Sequence, residues 1–174
     1  MALEIEAKMR VADLAEIARR LKAAGAKPIG ERIENNIFFD TPDGSLRRAD
    51  KGLRLRANHD VKTGRTEQVV TFKGPTRRGK LKIRPEMEFT VDAPRAAVAA
   101  FKGIGLVVSV QFKKRRNSWR LKGCRVELDE LPRIGRFVEI EGPSEAMVYR
   151  VRKLLDLAGH ELIRESYAAM VASK

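Results

Sequence analysis

Polar and apolar positions alternate with a period of two along much of this chain, and the polar positions are mostly acids or bases. In Glu4-Ile5-Glu6-Ala7-Lys8, residues two apart share a face of an extended strand. Glu4, Glu6 and Lys8 therefore point one way, and Leu3, Ile5, Ala7 and Met9 the other. The pattern recurs. Arg54 and Arg56 alternate with Leu53 and Leu55, and Arg84, Glu86 and Glu88 with Met87 and Phe89. Lys114 and Arg116 share a face, as do Glu127 with Asp129 and Glu139 with Glu141. One such segment reads as a half-exposed strand with its charges in water. Surface strands usually mix Thr, Ser and Gln with their charges, so the repetition points to faces selected for charge. A closed or nearly closed antiparallel barrel satisfies them together, with apolar faces packed outward on helices and charged faces lining the bore.

Other spacings predict the elements around those strands. Residues 11 to 24 place Leu14, Ile17, Ala18 and Leu21 at helical intervals before Gly25, an amphipathic helix that covers a sheet. A strand is expected over 33 to 41, with Asp43-Gly44 as a hairpin turn into 45 to 48. Further strands are expected at about 52 to 58, 67 to 74 and 82 to 92, with Pro85 at an edge, a bulge or a strand start. Pro94 opens a short helix to about 102. A strand within 107 to 122 pairs with 124 to 131, and 136 to 142 follows. Ser144 then caps a helix that carries Val148, Val151, Leu154, Leu155 and Ala158 and stops at Gly159, and a short helix runs through Tyr167 to Val171.

At 174 residues the chain is expected to form one domain over 1–174. Its net charge of +13 implies an anionic partner: nucleic acid, an anionic membrane surface or a phosphorylated small molecule. The lone Cys124 excludes an intrachain disulfide and leaves no cysteine pair for zinc, which suits a reducing compartment. The opening Met-Ala-Leu-Glu-Ile-Glu lacks the basic region followed by an apolar core that is expected of a leader, and no apolar run reaches the roughly 20 residues of a membrane span. A soluble, cytoplasmic protein without a membrane partner is expected, as a monomer or a homodimer.

Carboxylates at i and i+2 on one strand face lie about 7 Å apart. At an effective dielectric of about 20 they repel by roughly 2 kcal/mol. In a confined bore, Glu4 with Glu6 and Glu139 with Glu141 need compensation, by magnesium or manganese or by neighbouring arginines. Lys8, Arg54, Arg56, Lys73, Arg84, Lys114 and Arg116 come from several separate strands, and only a dense polyanion repays their convergence. A metal site beside a basic bore is what a polyphosphate chain requires.

The ordered set of motifs resembles a known family. Glu4-x-Glu6-x-Lys8 is similar to the ExExK motif of the CYTH superfamily, the triphosphate tunnel metalloenzymes. It is followed by Phe39-Asp40-Thr41-Pro42, Leu53-Arg54-Leu55-Arg56, Thr71-Phe72-Lys73-Gly74-Pro75, Arg84-x-Glu86-x-Glu88, Lys114-x-Arg116, Glu127-Leu128-Asp129 and Phe137-Val138-Glu139-Ile140-Glu141. The resemblance implies an α+β fold, an eight-stranded antiparallel β-barrel with helices packed outside. It implies a tunnel that binds a triphosphate (inorganic triphosphate, ATP or thiamine triphosphate) and one or two Mg2+ or Mn2+ ions. By position, Glu4, Glu6, Glu139 and Glu141, with Asp129 nearby, serve the metal. Lys8, Arg54, Arg56, Lys73, Arg84, Lys114 and Arg116 hold phosphates, and Lys8, Lys73, Glu86 and Glu88 form the catalytic set. Glu86, Glu88 and Glu127 match acidic tunnel positions that touch metal, orient water or pair with bases. Glu165-Ser166-Tyr167 resembles the tail of cyclase-like bacterial members.

Two reactions share such a site: hydrolysis of the terminal phosphoryl group, and cyclisation of ATP to cyclic AMP and pyrophosphate. No adenine-reading motif is evident, which favours a triphosphatase. A non-catalytic binder of nucleic acid or polyphosphate is the remaining reading, opposed by sparse aromatics and by acid pairs that repel a phosphate backbone. His59 and His160 read as surface or capping residues, Trp119 and Tyr167 as packing, and Cys124 as inert. Residues 77 to 82 read as a solvated loop, or else as a gate that draws anions to the tunnel mouth.

Overall fold

The computed structural model describes residues 2–173. Eight strands run in chain order: β1 (Ala2–Val11), β2 (Lys27–Asp40), β3 (Gly52–Asp60), β4 (Thr66–Lys73), β5 (Lys82–Thr90), β6 (Val107–Leu121), β7 (Cys124–Leu131) and β8 (Gly135–Glu141). They close into an antiparallel barrel in the order β1-β5-β4-β3-β2-β6-β7-β8, with β8 returning to β1. Closure leaves no edge strand, and it turns each alternating sequence into an inward and an outward face.

The outward faces are covered by helices. Ile5, Ala7 and Met9 of β1, Val126 and Leu128 of β7, and Val138 and Ile140 of β8 pack against Ile17 and Leu21 of α1 (Leu14–Ala23) and Val148 and Val151 of α4 (Glu145–Leu154). Phe39, Leu55 and Val70 pack under α3 (Pro94–Gly103), where Phe101 meets Phe39 edge-on at 5.1 Å. A third cluster lies on the lumen side. Phe137 stands opposite Asp129 and Arg10, and Leu131 continues that face. Tyr167 and Met170 of α5 (Tyr167–Ala172) seat on them and close one end of the bore. Among the described residues no helix is long and apolar enough to cross a membrane.

Several boundaries differ from the sequence reading. The helix expected from 11 starts at Leu14, because β1 keeps pairing to Val11 and the Asp13 carboxylate caps Ala15 N at 2.8 Å. The strand expected from 33 begins at Lys27, drawn out by its long partner β6. Asp43-Gly44 makes no hairpin. Asp40 accepts from the backbone N–H groups of Thr41, Leu46 and Arg47, and Gly44, left-handed at φ 76, leads into the helical turn α2 (Ser45–Arg48). The fourth helix stops at Leu154 rather than Gly159, since Asp156 takes the left-handed conformation, φ 56, that ends it.

Pro85 sits within a strand of the closed barrel, one residue past the last β4–β5 pair, Lys73 with Glu86. Gly74 is its partner there and donates its N–H to the Pro85 carbonyl at 2.9 Å. The reciprocal bond is impossible because proline has no N–H. Arg84 Nε supplies it instead, donating to Gly74 O at 2.7 Å.

Candidate active site

The strand register carries the charged faces into one lumen. Arg54 faces Thr71, Thr71 faces Glu88 and Lys73 faces Glu86. Glu4 faces Arg84, Glu6 faces Lys82 on one side and Glu141 on the other, and Lys8 faces Glu139. Glu139 faces Glu127, Arg116 faces Asp129 and Glu34 faces Lys114. Directly opposite residues share a face. The result is a cavity of about 1240 Å³ lined by groups from every strand. Glu4, Glu6, Lys8, Arg54, Arg84, Lys114, Arg116 and Glu139 are buried in its walls. Arg56, Lys73 and Glu86 are half-buried, and Glu88 and Glu141 are exposed.

One side of the lumen is an internally neutralised network. Glu34 is fully buried and stands 2.8 Å from Arg32 Nε, 3.3 Å from Arg56 Nε, 3.4 Å from Lys114 Nζ and 3.7 Å from Arg116 Nε. Burial opposes its ionisation, yet Lys114, Arg116, Arg56 and Arg32 hold it well below the usual carboxylate range. Asp129 accepts from Lys114 Nζ at 2.9 Å, from Arg116 Nε at 2.6 Å and from the Tyr167 hydroxyl at 3.0 Å. Of the five carboxylates expected to serve a metal, Asp129 is the one that does not line the cavity, and both its oxygens accept from cations. Glu139 pairs with Arg116, and with Lys8 at 3.4 Å, and they keep it ionised despite its burial.

The opposite wall is less balanced. Lys73 Nζ bridges Glu4 at 2.7 Å and Glu86 at 3.0 Å. Against its burial, Lys73 and Lys82 lower Glu4 to about 2. Among the described residues Glu6 has only Lys82 at 3.8 Å and Lys8 at 4.0 Å as cationic partners, and burial together with the Glu139 charge raises its pKa. Partial desolvation at the cavity wall and the charges of Glu4 and Glu6 raise Glu141 as well, exposed though much of its side chain is. Burial, only partly offset by Lys73, pushes Glu86 up to about 7. Glu4 Oε2 and Glu6 Oε1 are buried without a hydrogen-bond partner; both oxygens of Glu127 lack one too, although Arg32, Arg125 and Arg116 stand 3.7, 3.8 and 3.9 Å from its Oε1. Among the described residues no three acids, histidines or cysteines are already drawn together around one point. Hard oxygen donors left without hydrogen bonds, with like charges unfavourably close, are nevertheless a donor set that suits a divalent cation.

Every residue expected at the site lines this cavity except Asp129, which stands behind it on Lys114 and Arg116. Arg84 is on the wall but committed: besides Gly74 O, it donates to Asp50 O at 2.7 Å. Other participants escaped the sequence reading. Lys82 is buried in the wall rather than solvated with the 77 to 82 loop, and its parity with Arg84 and Glu86 was the available signal. Glu34 shares parity with Asn36, but nothing local marks it as the common counter-ion of four cations. Tyr167 does more than pack: its ring lies 4.1 Å from Lys8 Nζ and 4.8 Å from Lys114 Nζ. Lys8 Nζ also donates to Glu165 O at 2.9 Å, tying the tail to the first strand. Phe38 and Phe112 stack at 5.9 Å on the same inward face as Arg54 and Asn36, an aromatic surface in an otherwise charged bore.

Known proteins share this architecture. The MJ0240 protein of Methanocaldococcus jannaschii, a candidate adenylate cyclase, is 24% identical over 174 residues, covering 95% of this chain and 96% of its own. The PH1819 protein of Pyrococcus horikoshii OT3 superposes with a TM-score of 0.85 at 24% identity, covering 98% of each chain. HpAC1 of Hippeastrum, an adenylyl cyclase candidate with a dominant triphosphatase activity, superposes with a TM-score of 0.72 at 20% identity over 98% of this chain and 95% of its own. The CYTH domain model matches residues 2–156, and with the barrel and its charged lumen this establishes that the chain belongs to the CYTH domain family.

Proposed function

We propose that this protein is a divalent-metal-dependent enzyme that hydrolyses a triphosphate inside the barrel. The observation that carries the reading is the pairing, in one lumen, of convergent cations with buried acids whose oxygens lack partners. Arg54 and Arg56 from β3, Lys73 from β4 and Lys8 from β1 surround a chain of phosphates and spread its charge. Glu34 and Asp129 fix Lys114 and Arg116 from behind, so these cations meet the substrate already oriented. Glu4, Glu6, Glu139 and Glu141 would hold Mg2+ or Mn2+, which when bound supplies Lewis-acid stabilisation of phosphate oxygens. Glu86, with its pKa raised to about 7 and 3.0 Å from Lys73, accepts a proton from an attacking water at neutral pH, and Glu88 beside it orients that water.

A second reading is supported by the Phe38–Phe112 stack. That surface offers a nucleobase an apolar rest, which cyclisation of ATP to cyclic AMP and pyrophosphate demands and hydrolysis of inorganic triphosphate does not. The deciding experiment incubates the protein with inorganic triphosphate and with ATP, each with Mg2+ or Mn2+, and separates the products. Orthophosphate as the main product supports the hydrolase. Cyclic AMP with pyrophosphate as main products would establish the cyclase, and equal turnover in excess EDTA would refute metal dependence.

A further inference from the structure

A second, smaller groove of about 490 Å³ lies outside the barrel, lined by Lys80, Tyr149, Arg152, Leu162 and Arg164. It is bounded by the loop between β4 and β5, by α4 and by the segment that precedes α5. No acid is among its lining residues, and among the described residues none of its three cations makes an ion pair. Two of them are fixed from behind by main-chain carbonyls. Arg152 donates to Ala158 O at 2.9 Å and to His160 O, and Arg164 donates to Arg77 O at 3.1 Å and to Gly79 O. Carbonyls orient a guanidinium without cancelling its charge. Arg152 Nε is also buried with no hydrogen-bond partner.

We propose that this groove is an anion site for a free phosphoryl compound, orthophosphate or pyrophosphate, and that its occupancy is felt in the lumen. Three uncompensated cations around a concavity suit a compact, multiply charged anion. A nucleic acid would call for an extended basic stripe. The connection to the lumen is covalent and short. Arg164 lines both cavities, Ile163 N donates to Lys8 O at 2.8 Å, and Glu165 O receives the Lys8 ammonium at 2.9 Å. An anion that draws on Arg164 therefore acts on the segment that holds Lys8. Orthophosphate and pyrophosphate are what triphosphate chemistry releases, so the consequence is product inhibition from outside the lumen. This consequence rests on the function proposed above; the binding site does not.

The test uses inorganic pyrophosphate and the full chain. Calorimetric titration of the wild type should show two sites. Lys80→Glu, a change at an exposed loop position, should weaken one of them about tenfold or more and leave basal turnover unchanged. Backbone amide shifts at 77–80 and 149–165 should move on titration and be lost in the variant. Pyrophosphate inhibition of turnover should have a component not overcome by substrate, absent in Lys80→Glu. A single site insensitive to Lys80→Glu, with no amide shifts in those segments, would overturn the proposal. Purely competitive inhibition, equal in both proteins, would overturn the coupling. Displacement of pyrophosphate by a short nucleic acid duplex, lost in Lys80→Glu, would replace it with a nucleic-acid surface. An outer site that binds in a protein that turns over no triphosphate would sink the enzymatic reading and leave the site standing.

Discussion

Arg84 completes a backbone ladder that Pro85 interrupts: its Nε donates to Gly74 O at 2.7 Å, where the N–H of residue 85 would otherwise bond. A cationic side chain on the lumen wall thus performs a main-chain task. The same pairing explains Gly74, since a Cβ there would meet Pro85 Cγ at 2.5 Å.

Arg84→Ala should therefore act first on stability. It leaves the buried carbonyl of Gly74 unpaired, and a loss of roughly 3 kcal/mol in urea unfolding is expected. Pro85→Ala restores a backbone donor, so the same change should cost markedly less on that background. Additive costs in the double-mutant cycle would show that Arg84 does not stand in for the missing N–H.

Glu34→Gln removes the charge shared by Arg32, Arg56, Lys114 and Arg116. Breaking a buried pair at one partner costs roughly 3–5 kcal/mol. Because the cations left behind are those that face substrate, inorganic triphosphate should raise the melting temperature of the variant more than that of the wild type. An equal ligand-induced shift in both would count against Glu34 as the organiser of the cationic wall.

Glu6→Gln should separate stability from function. The raised pKa of Glu6 means that folding disfavours its ionised form, so neutralisation should leave the metal-free protein as stable or more so. Turnover of triphosphate with Mg2+ or Mn2+ should fall steeply, at least tenfold, on losing a charged ligand. Wild-type activity in this variant and in Glu141→Gln would remove both residues from the metal site.

The pH dependence of stability offers a check on Glu86. Its folded pKa is raised from 4.5 to about 7, so between those values the native state binds more protons than the unfolded chain. Its contribution to stability is thus greatest below about 4.5 and declines as pH rises through about 7. Glu86→Gln should flatten the stability profile in that window relative to the wild type. Parallel profiles for the two proteins would mean that Glu86 titrates at its ordinary value.

Period-two alternation was sufficient to place Glu4, Glu6, Lys8, Arg54, Arg56, Lys114, Arg116, Glu139 and Glu141 on inward faces, because strand parity is a local property. It also implied closure, since only a barrel gives so many charged faces a shared interior. Which acid meets which base depends on register between strands distant in sequence. Glu34 and Lys114 are eighty residues apart by numbering, and no local pattern links them. Asp129 illustrates the limit: its parity put it on one charged face with Glu127, while its contacts with Lys114, Arg116 and Tyr167 arise from β6 and from the returning α5. The left-handed Asp156 that ends α4, the Arg84 bond to Gly74 and the seating of Tyr167 beneath Lys8 were likewise decided by tertiary structure. Alternation along one chain specifies which face a side chain occupies, whereas its partner across the bore is set by closure, shear and the path of the tail.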